Sequence, residues 1–147
     1  MSTQSSRKTK RDQRGFTLIE LLVVLAILGL LIGLVGPRVV DYFGRAKTET
    51  TKLQIENLAT TLELLRLDVG RYPSETEGLT ALVARPAGNA RWNGPYLKSA
   101  SVPRDPWDRP YQYRVPGRDG RPFDLYSLGA DGVDGGEGEN RDIGNWR

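Results

Sequence analysis

Hydrophobic residues along this chain follow two different patterns, one after the other. The first is an apolar run, LLVVLAILGLLIGLVG, which continues from Leu21 to Gly36 without a charge. Extended back to Phe16, the segment is twenty-one residues long. A helix of that length measures roughly 31 Å, about the thickness of the hydrocarbon core of a bilayer. The sequence therefore predicts a membrane-spanning helix over residues 16–36.

After Pro37 the apolar residues return at steps of three and four, the spacing of one face of an amphipathic helix. Gly70 and Pro73 predict that this helix ends near Asp68. Its apolar face has to be covered, and we expect a single small domain over residues 37–147 to cover it. The residues predicted on that face are Ile55, Leu58, Leu62 and Leu65.

The rest of the chain predicts a second short helix and a β-hairpin. Ser74, followed three residues later by Glu77, has the pattern of a capping box at the start of a helix. Strands are predicted over residues 111–115 and 123–128, joined by a turn at residues 117–120. This order of elements predicts an α+β fold, with a long N-terminal helix packed on a small antiparallel sheet. Further core candidates are Leu79, Leu82, Val83, Trp92, Pro95, Tyr96, Leu97 and Trp107.

Basic residues are concentrated in front of the apolar run. The chain has a net charge of +3, of which residues 1–15 carry +4, so that the remainder carries −1. The positive-inside rule places the basic end in the cytoplasm and the domain beyond residue 40 outside it. No stripe of basic and aromatic residues follows residue 16, which argues against nucleic acid as a partner.

The absence of histidine and cysteine narrows the possible chemistry. It removes disulfides, thiolate nucleophiles and imidazole bases from consideration. Asp105 and Asp108 flank Trp107 in a proline-rich turn, a structural pattern, and the only lysine after Lys52 is Lys98. We therefore predict that the chain is not an enzyme.

Glu20 decides between the possible roles of the apolar run. An ordinary secretory signal has a shorter apolar stretch and a better cleavage site. A plain single-pass anchor explains everything except Glu20, whose carboxylate costs about 2.5–3.5 kcal/mol in such a helix. A cationic partner is therefore expected. The nearest candidate is an α-amino group at Phe16, one helical turn away, which exists only if the chain is cut after Gly15.

Residues 14–20, RGFTLIE, followed by an apolar run, resemble the N-terminal motif of type IV pilins and pseudopilins. The resemblance implies that a prepilin peptidase cuts between Gly15 and Phe16 and methylates the new N-terminus at Phe16. Residues 1–15 are then a leader, which is longer than the short one usual in the family. The resemblance also implies that Glu20 neutralises the N-terminal amine of a neighbouring subunit during assembly.

Three later segments resemble the major, G-type pseudopilin of the bacterial type II secretion system. They are GPYL at residues 94–97, DPWDRPY at 105–111 and DIGNW at 142–146. Asp108 stands where that family has glycine, and aspartate tolerates a left-handed turn better than most residues. The resemblance implies a pilin-like α+β fold that ends in a calcium-binding loop.

The implied function is that of the major structural subunit of a pseudopilus. Such a subunit is anchored in the inner membrane with its domain in the periplasm. It polymerises there to drive exoproteins across the outer membrane. The implied partners are further copies of the chain, minor pseudopilins, the prepilin peptidase, the inner-membrane assembly platform and membrane lipid. The alternatives are a type IV pilin for adhesion or motility, or a calcium-binding single-pass membrane protein without an assembly role.

The segment from Asp131 to Asp142, DGVDGGEGENRD, holds five carboxylates against one arginine. A glycine-rich acidic loop suits calcium, which prefers oxygen ligands on a flexible backbone. A merely solvated loop is the alternative that the residues alone leave open. The resemblance to the G-type pseudopilins implies calcium, with Asp134 and Glu137 solvated. The predicted ligands are the Leu128 carbonyl, Asp131 and Asp142, with Asn140 and Glu139 as further candidates.

Overall fold

The computed structural model describes residues 15–146, except for the side chains of Pro37, Val40 and Asp41. Contacts divide the chain into two compact units, one ending at Val40 and one beginning at Asp41. Residues 1–14 of the leader predicted over residues 1–15 lie outside the described residues.

One helix, α1, extends over Leu18–Val69 and is 52 residues long. It ends where Gly70 adopts a left-handed conformation, with a φ of 88°. The Gly70 N–H donates to the Arg66 carbonyl at 2.7 Å, which closes the last turn. The end predicted near Asp68 is confirmed.

The first unit contains the apolar part of α1. Residues Leu18–Gly36 have a mean hydropathy of 3.0, and none of this segment is buried within the chain. Their side chains are therefore exposed, as with Leu30 at 75% and Ile32 at 69%. By length and composition this part of the helix can cross a membrane.

The second unit is built around the other half of α1. All four residues predicted on its apolar face are at most 2% exposed, which confirms the face. Burying a leucine or isoleucine side chain stabilises a fold by roughly 1.5–3 kcal/mol, so this row is the main source of core energy along the helix. The buried residues that pack with it are Leu79, Ala81, Leu82, Trp92, Tyr111, Phe123, Leu125 and Ile143.

The predicted second helix is a 3₁₀ helix over Gly78–Leu82. The capping box ahead of it forms as predicted. The Ser74 N–H donates to Glu77 Oε2 at 2.7 Å, and the Glu77 N–H donates to Ser74 Oγ at 3.2 Å. Gly78 then has a φ of 54°, so the turn held by the box does not continue as an α-helix.

The sheet has three antiparallel strands in the order β1-β2-β3. Strands β1 (Gln112–Arg114) and β2 (Asp124–Ser127) form the predicted hairpin, in which Tyr113 pairs with Leu125. Strand β3 (Ile143–Gly144) pairs with β2 and was not predicted. The other 3₁₀ helices cover Arg118–Gly120 in the hairpin turn and Gly138–Asn140 in the acidic loop.

Candidate processing site and candidate metal loop

The predicted cleavage site precedes α1. Gly15 and Phe16 are not part of the helix and are both exposed, with Phe16 at 87%. Their peptide bond is free of helical hydrogen bonds, the state in which a protease can bind it. The structure therefore leaves the predicted site accessible.

Glu20 takes part in a local hydrogen-bonded motif that we had not predicted. The Thr17 N–H donates to Glu20 Oε2 at 3.4 Å, and the Glu20 N–H donates to Thr17 Oγ1 at 3.3 Å. These bonds form a capping box, and Thr-x-x-Glu before an apolar run is its sequence signal. Among residues 15–146, no basic side chain lies within ion-pair distance of Glu20. The box binds the carboxylate but leaves its charge unpaired.

The acidic loop folds back on itself through short backbone contacts. The Ala130 N–H donates to the Glu139 carbonyl at 2.9 Å, and the Asp142 N–H donates to the Gly135 carbonyl at 3.2 Å. Gly129 has a φ of 65°, and a Cβ there would lie 2.7 Å from the Glu139 carbonyl oxygen. Glycine is required at this crossing because any side chain would collide with the backbone.

Asp142 has a carboxylate oxygen that is buried without a hydrogen-bond partner. Its Oδ2 accepts the Gly135 N–H at 2.9 Å, but its Oδ1 is buried and has no hydrogen-bond partner. Burial raises the pKa of Asp142, and Asp134 and Asp131 raise it further, against the lowering effect of the Gly135 N–H. A buried carboxylate oxygen without a hydrogen-bond donor, in the electrostatic field of Asp131 and Asp134, is a position that suits a cation.

The structure brings some of the predicted metal ligands together and separates others. Asp131 is exposed and interacts with Asp142, whereas Asp134, predicted to be solvated, is also a neighbour of Asp142. The Glu139 carboxylate instead packs against Gly44 of α1, so closely that any side chain at position 44 would collide with it. The Asn140 N–H donates to the Glu137 carbonyl at 3.0 Å.

Side chains alone do not form a metal cluster in this part of the chain. Within residues 15–146, no three His, Cys, Asp or Glu side chains converge closely enough to hold an ion. A calcium ion would therefore need backbone carbonyls as well, which it readily accepts. Leu128, the residue that follows β2, was predicted to supply one.

Comparisons with known proteins address the chain as a whole. It matches the family model of type II secretion system protein G over residues 38–146. It also matches the prokaryotic N-terminal methylation motif over residues 10–36.

Curated relatives and solved structures are similar to the chain over most of their length. The type II secretion system core protein G of Pseudomonas aeruginosa is 50% identical over 93% of this chain and 97% of that protein. The protein of the same name from Vibrio cholerae is 42% identical over 95% of each. The major pseudopilin from the type 2 secretion system of enterohaemorrhagic Escherichia coli has 37% identity and a TM-score of 0.57, covering 69% of this chain and 88% of that one.

These findings agree with the geometry at both ends of the chain. The methylation motif includes the exposed Gly15–Phe16 bond and Glu20, and the protein G model covers nearly all of the second unit. The family consists of structural pseudopilin subunits and not of enzymes. The type IV pilin alternative receives no such support. The chain belongs to the type II secretion system protein G family, and it is a subunit of the pseudopilus.

Proposed function

We propose that the chain is made as a precursor and inserted into the inner membrane with its domain in the periplasm. Prepilin peptidase then cuts between Gly15 and Phe16 and methylates the amine of Phe16. The mature subunits polymerise in the periplasm into a pseudopilus that drives exoproteins across the outer membrane. Their partners are further copies of the chain, minor pseudopilins, the inner-membrane assembly platform and lipid.

The observation that carries this proposal is the unpaired charge of Glu20. A capping box satisfies backbone N–H groups but does not neutralise a carboxylate, and an ionised carboxylate is costly in hydrocarbon. Among residues 15–146 the chain itself offers this carboxylate no cation. Cleavage creates a cationic amine at Phe16 in every subunit, and the amine of a neighbouring copy can pair with Glu20. Cleavage therefore supplies the cation that Glu20 lacks in the precursor, and polymerisation brings that amine to the carboxylate of a neighbouring copy.

The first test is the intact mass of the membrane-extracted protein, together with N-terminal sequencing. We expect a chain that begins at Phe16 and carries one extra methyl group. The same chain produced in cells without prepilin peptidase should keep residues 1–15 and is the matched control. A mature protein that begins at Met1 or Ser2 would contradict the proposal, because Glu20 would then lack its partner.

We further propose that the acidic loop binds one calcium ion. The Leu128 carbonyl and the Asp131 and Asp142 carboxylates are the primary ligands, all of them hard oxygen donors of the kind calcium prefers. The buried, unpartnered Oδ1 of Asp142 supports this assignment. Asn140 and Glu139 remain further candidates. Bound calcium supplies positive charge at this point, and it stabilises the folded domain by mass action.

A further inference from the structure

The segment that contains Asp108 folds into a closed turn. Asp105 Oδ1 accepts the N–H groups of Trp107 at 3.0 Å and of Arg109 at 2.8 Å. The Asp105 N–H donates to the Arg109 carbonyl at 2.9 Å, and Asp108 has a φ of 62°. The aspartate thus adopts the left-handed conformation expected at this position. The turn fixes the direction in which Arg109 leaves the backbone.

This turn is bonded to the chain immediately before the acidic loop. Asp105 Oδ2 accepts the hydroxyl of Ser127 at 2.5 Å, and Ser127 Oγ in turn accepts the Gly129 N–H at 3.2 Å. Arg109 Nη1 donates to the carbonyls of Gly129 and Ala130, both at 2.6 Å. Asp105 and Ser127 are only 4% and 0% exposed, so part of this network is shielded from water.

These bonds hold the backbone on both sides of Leu128. Ser127 is fixed through its side chain, and Gly129 through its N–H and its carbonyl. With both neighbours fixed, the peptide units around Leu128 have little freedom to rotate. The direction of the Leu128 carbonyl is therefore set by the turn before any ligand binds.

Arg109 acts here through geometry more than through its charge. Within residues 15–146 no carboxylate lies within ion-pair distance of its guanidinium, which binds backbone carbonyls instead. A role in positioning and a role through charge predict opposite effects on a cation bound nearby. Loss of positioning weakens cation binding, whereas loss of a positive charge strengthens it.

We propose that Arg109 is a positioning residue for the calcium loop, because its bonds to Gly129 and Ala130 hold the Leu128 carbonyl in its ligating direction. This inference rests on the calcium binding proposed above. It assigns a task to the turn at residues 105–109, whose bonded partners lie some twenty residues further along the chain. Groups that orient metal ligands without touching the metal typically change metal affinity by about 10- to 100-fold when removed.

The test is a calorimetric calcium titration of the full-length chain in detergent. We expect Arg109→Gln to raise the calcium Kd by about 10- to 100-fold. Arg104→Gln is the matched control. Arg104 directly precedes this turn and donates to the Asp108 carbonyl at 2.9 Å, but no bond joins it to residues 127–130. The Arg104→Gln variant also loses one positive charge, and we expect its calcium Kd to equal that of the wild type.

A second measurement separates positioning from general damage to the fold. Hydrogen exchange in EGTA should become faster at residues 128–133 in Arg109→Gln and stay unchanged at residues 55–65 of α1. Arg109→Lys keeps the charge but ends one bond short of Nη1, so it should lose affinity as well. This variant decides the matter if Arg109→Gln does not fold.

The outcomes distinguish the two proposals. If the wild type binds calcium and the Arg109 variants bind it equally well or more tightly, the positioning role is overturned while the calcium site stands. If the wild type does not bind calcium, both proposals are overturned. A loss of affinity in Arg104→Gln equal to that in Arg109→Gln would show that the integrity of the turn matters and the bonds of Arg109 to Gly129 and Ala130 do not, and it would also overturn the role of Arg109.

Discussion

The chain contains two capping boxes with the same pattern but different surroundings. In the second unit, Ser74 and Glu77 exchange hydrogen bonds, and Arg71 also binds both Glu77 oxygens at 2.6 and 2.7 Å. In the apolar segment, Thr17 and Glu20 exchange the corresponding bonds. No arginine or lysine among the residues that the structure describes accompanies Glu20. The capping-box hydrogen bonds are present in both places, and the difference is that a cation lies beside Glu77 but not beside Glu20.

The two boxes differ in whether a cation lies beside the glutamate. The Arg71 guanidinium donates to the Glu77 carboxylate and holds its pKa at about 2, so Glu77 stays ionised at low cost. A carboxylate inside an apolar helix needs a cation more than an exposed one does, since water is not available to solvate it. We therefore propose that the box without a cation, the one that contains Glu20, takes part in a contact between subunits.

The largest expected effect follows from removing only the charge of Glu20. Glutamine can take the place of glutamate in a capping box, so Glu20→Gln keeps the local bonds and loses the charge. We expect normal insertion and cleavage but no detectable filaments by electron microscopy of sheared cell fractions. Glu77→Gln, the same substitution in the other box, should still give filaments. Normal filaments from Glu20→Gln would show that the unpaired charge has no role in assembly.

A third carboxylate extends the comparison to a metal ion. Asp142 has one buried oxygen without a partner, and we propose that calcium supplies the missing charge. Calcium at a hundred times its Kd would stabilise the domain by about 2.7 kcal/mol, which raises the Tm by about 10 °C in a domain of about a hundred residues. The rise should be seen by scanning calorimetry of the full chain with calcium against EGTA.

The variants for this test are Asp142→Asn and, as a control, Glu137→Gln. The first removes a proposed ligand and should abolish the calcium-dependent rise in Tm. Glu137 is exposed and is not a proposed ligand, so its variant should show the full rise. A wild-type chain with the same Tm in calcium and in EGTA would contradict the proposed site.

Local spacing predicted much of the fold correctly. The row of Ile55, Leu58, Leu62 and Leu65 could be read from steps of three and four, because a helix places such residues on one face whatever covers them. The Ser74 box and the hairpin also depend on neighbouring residues. The Thr17 box carried the same signal, but Glu20 had been considered for its charge alone.

Features that depend on distant residues could not be read in this way. Strand β3 has two residues, too few for any periodicity, and it is defined by its pairing with β2. Arg109 binds carbonyls twenty and twenty-one residues away. Glu139 lies against Gly44 of α1, a contact that needs the whole second unit to be folded. Arginine and glutamate are common on protein surfaces, so the sequence around Arg109 and Glu139 does not indicate that they make these contacts.

A moderate effect is expected from removing the cation of the second box. Glu77 has a pKa of about 2 in the folded chain, below the value of about 4.3 in unfolded peptides. Its pairing with Arg71 therefore stabilises the fold above about pH 4, and that stability is lost as the pH falls towards 2. Because Arg71 is half exposed, we expect Arg71→Gln to cost only about 0.5–1 kcal/mol at pH 7.

Urea denaturation at several pH values tests this expectation. The difference in free energy of unfolding between the wild type and Arg71→Gln should shrink steadily between pH 5 and pH 2. A difference that stays constant over this range would mean that Arg71 acts through packing on its neighbours and not through the charge of Glu77. The difference between Glu77 with its arginine and Glu20 without one would then not be electrostatic.

The smallest effects come from removing the hydroxyl of each box. Ser74→Ala should cost about 0.5–1 kcal/mol of domain stability, the usual value for a lost cap. Thr17→Ala removes an equivalent hydroxyl in the first unit, whose described residues contribute none of the buried core side chains. It should therefore leave the Tm of the domain, measured by near-UV circular dichroism, unchanged. An equal loss of Tm from both substitutions would show that the two units unfold together. The unpaired charge of Glu20 would then lower the stability of the folded domain as well as affect assembly of the filament.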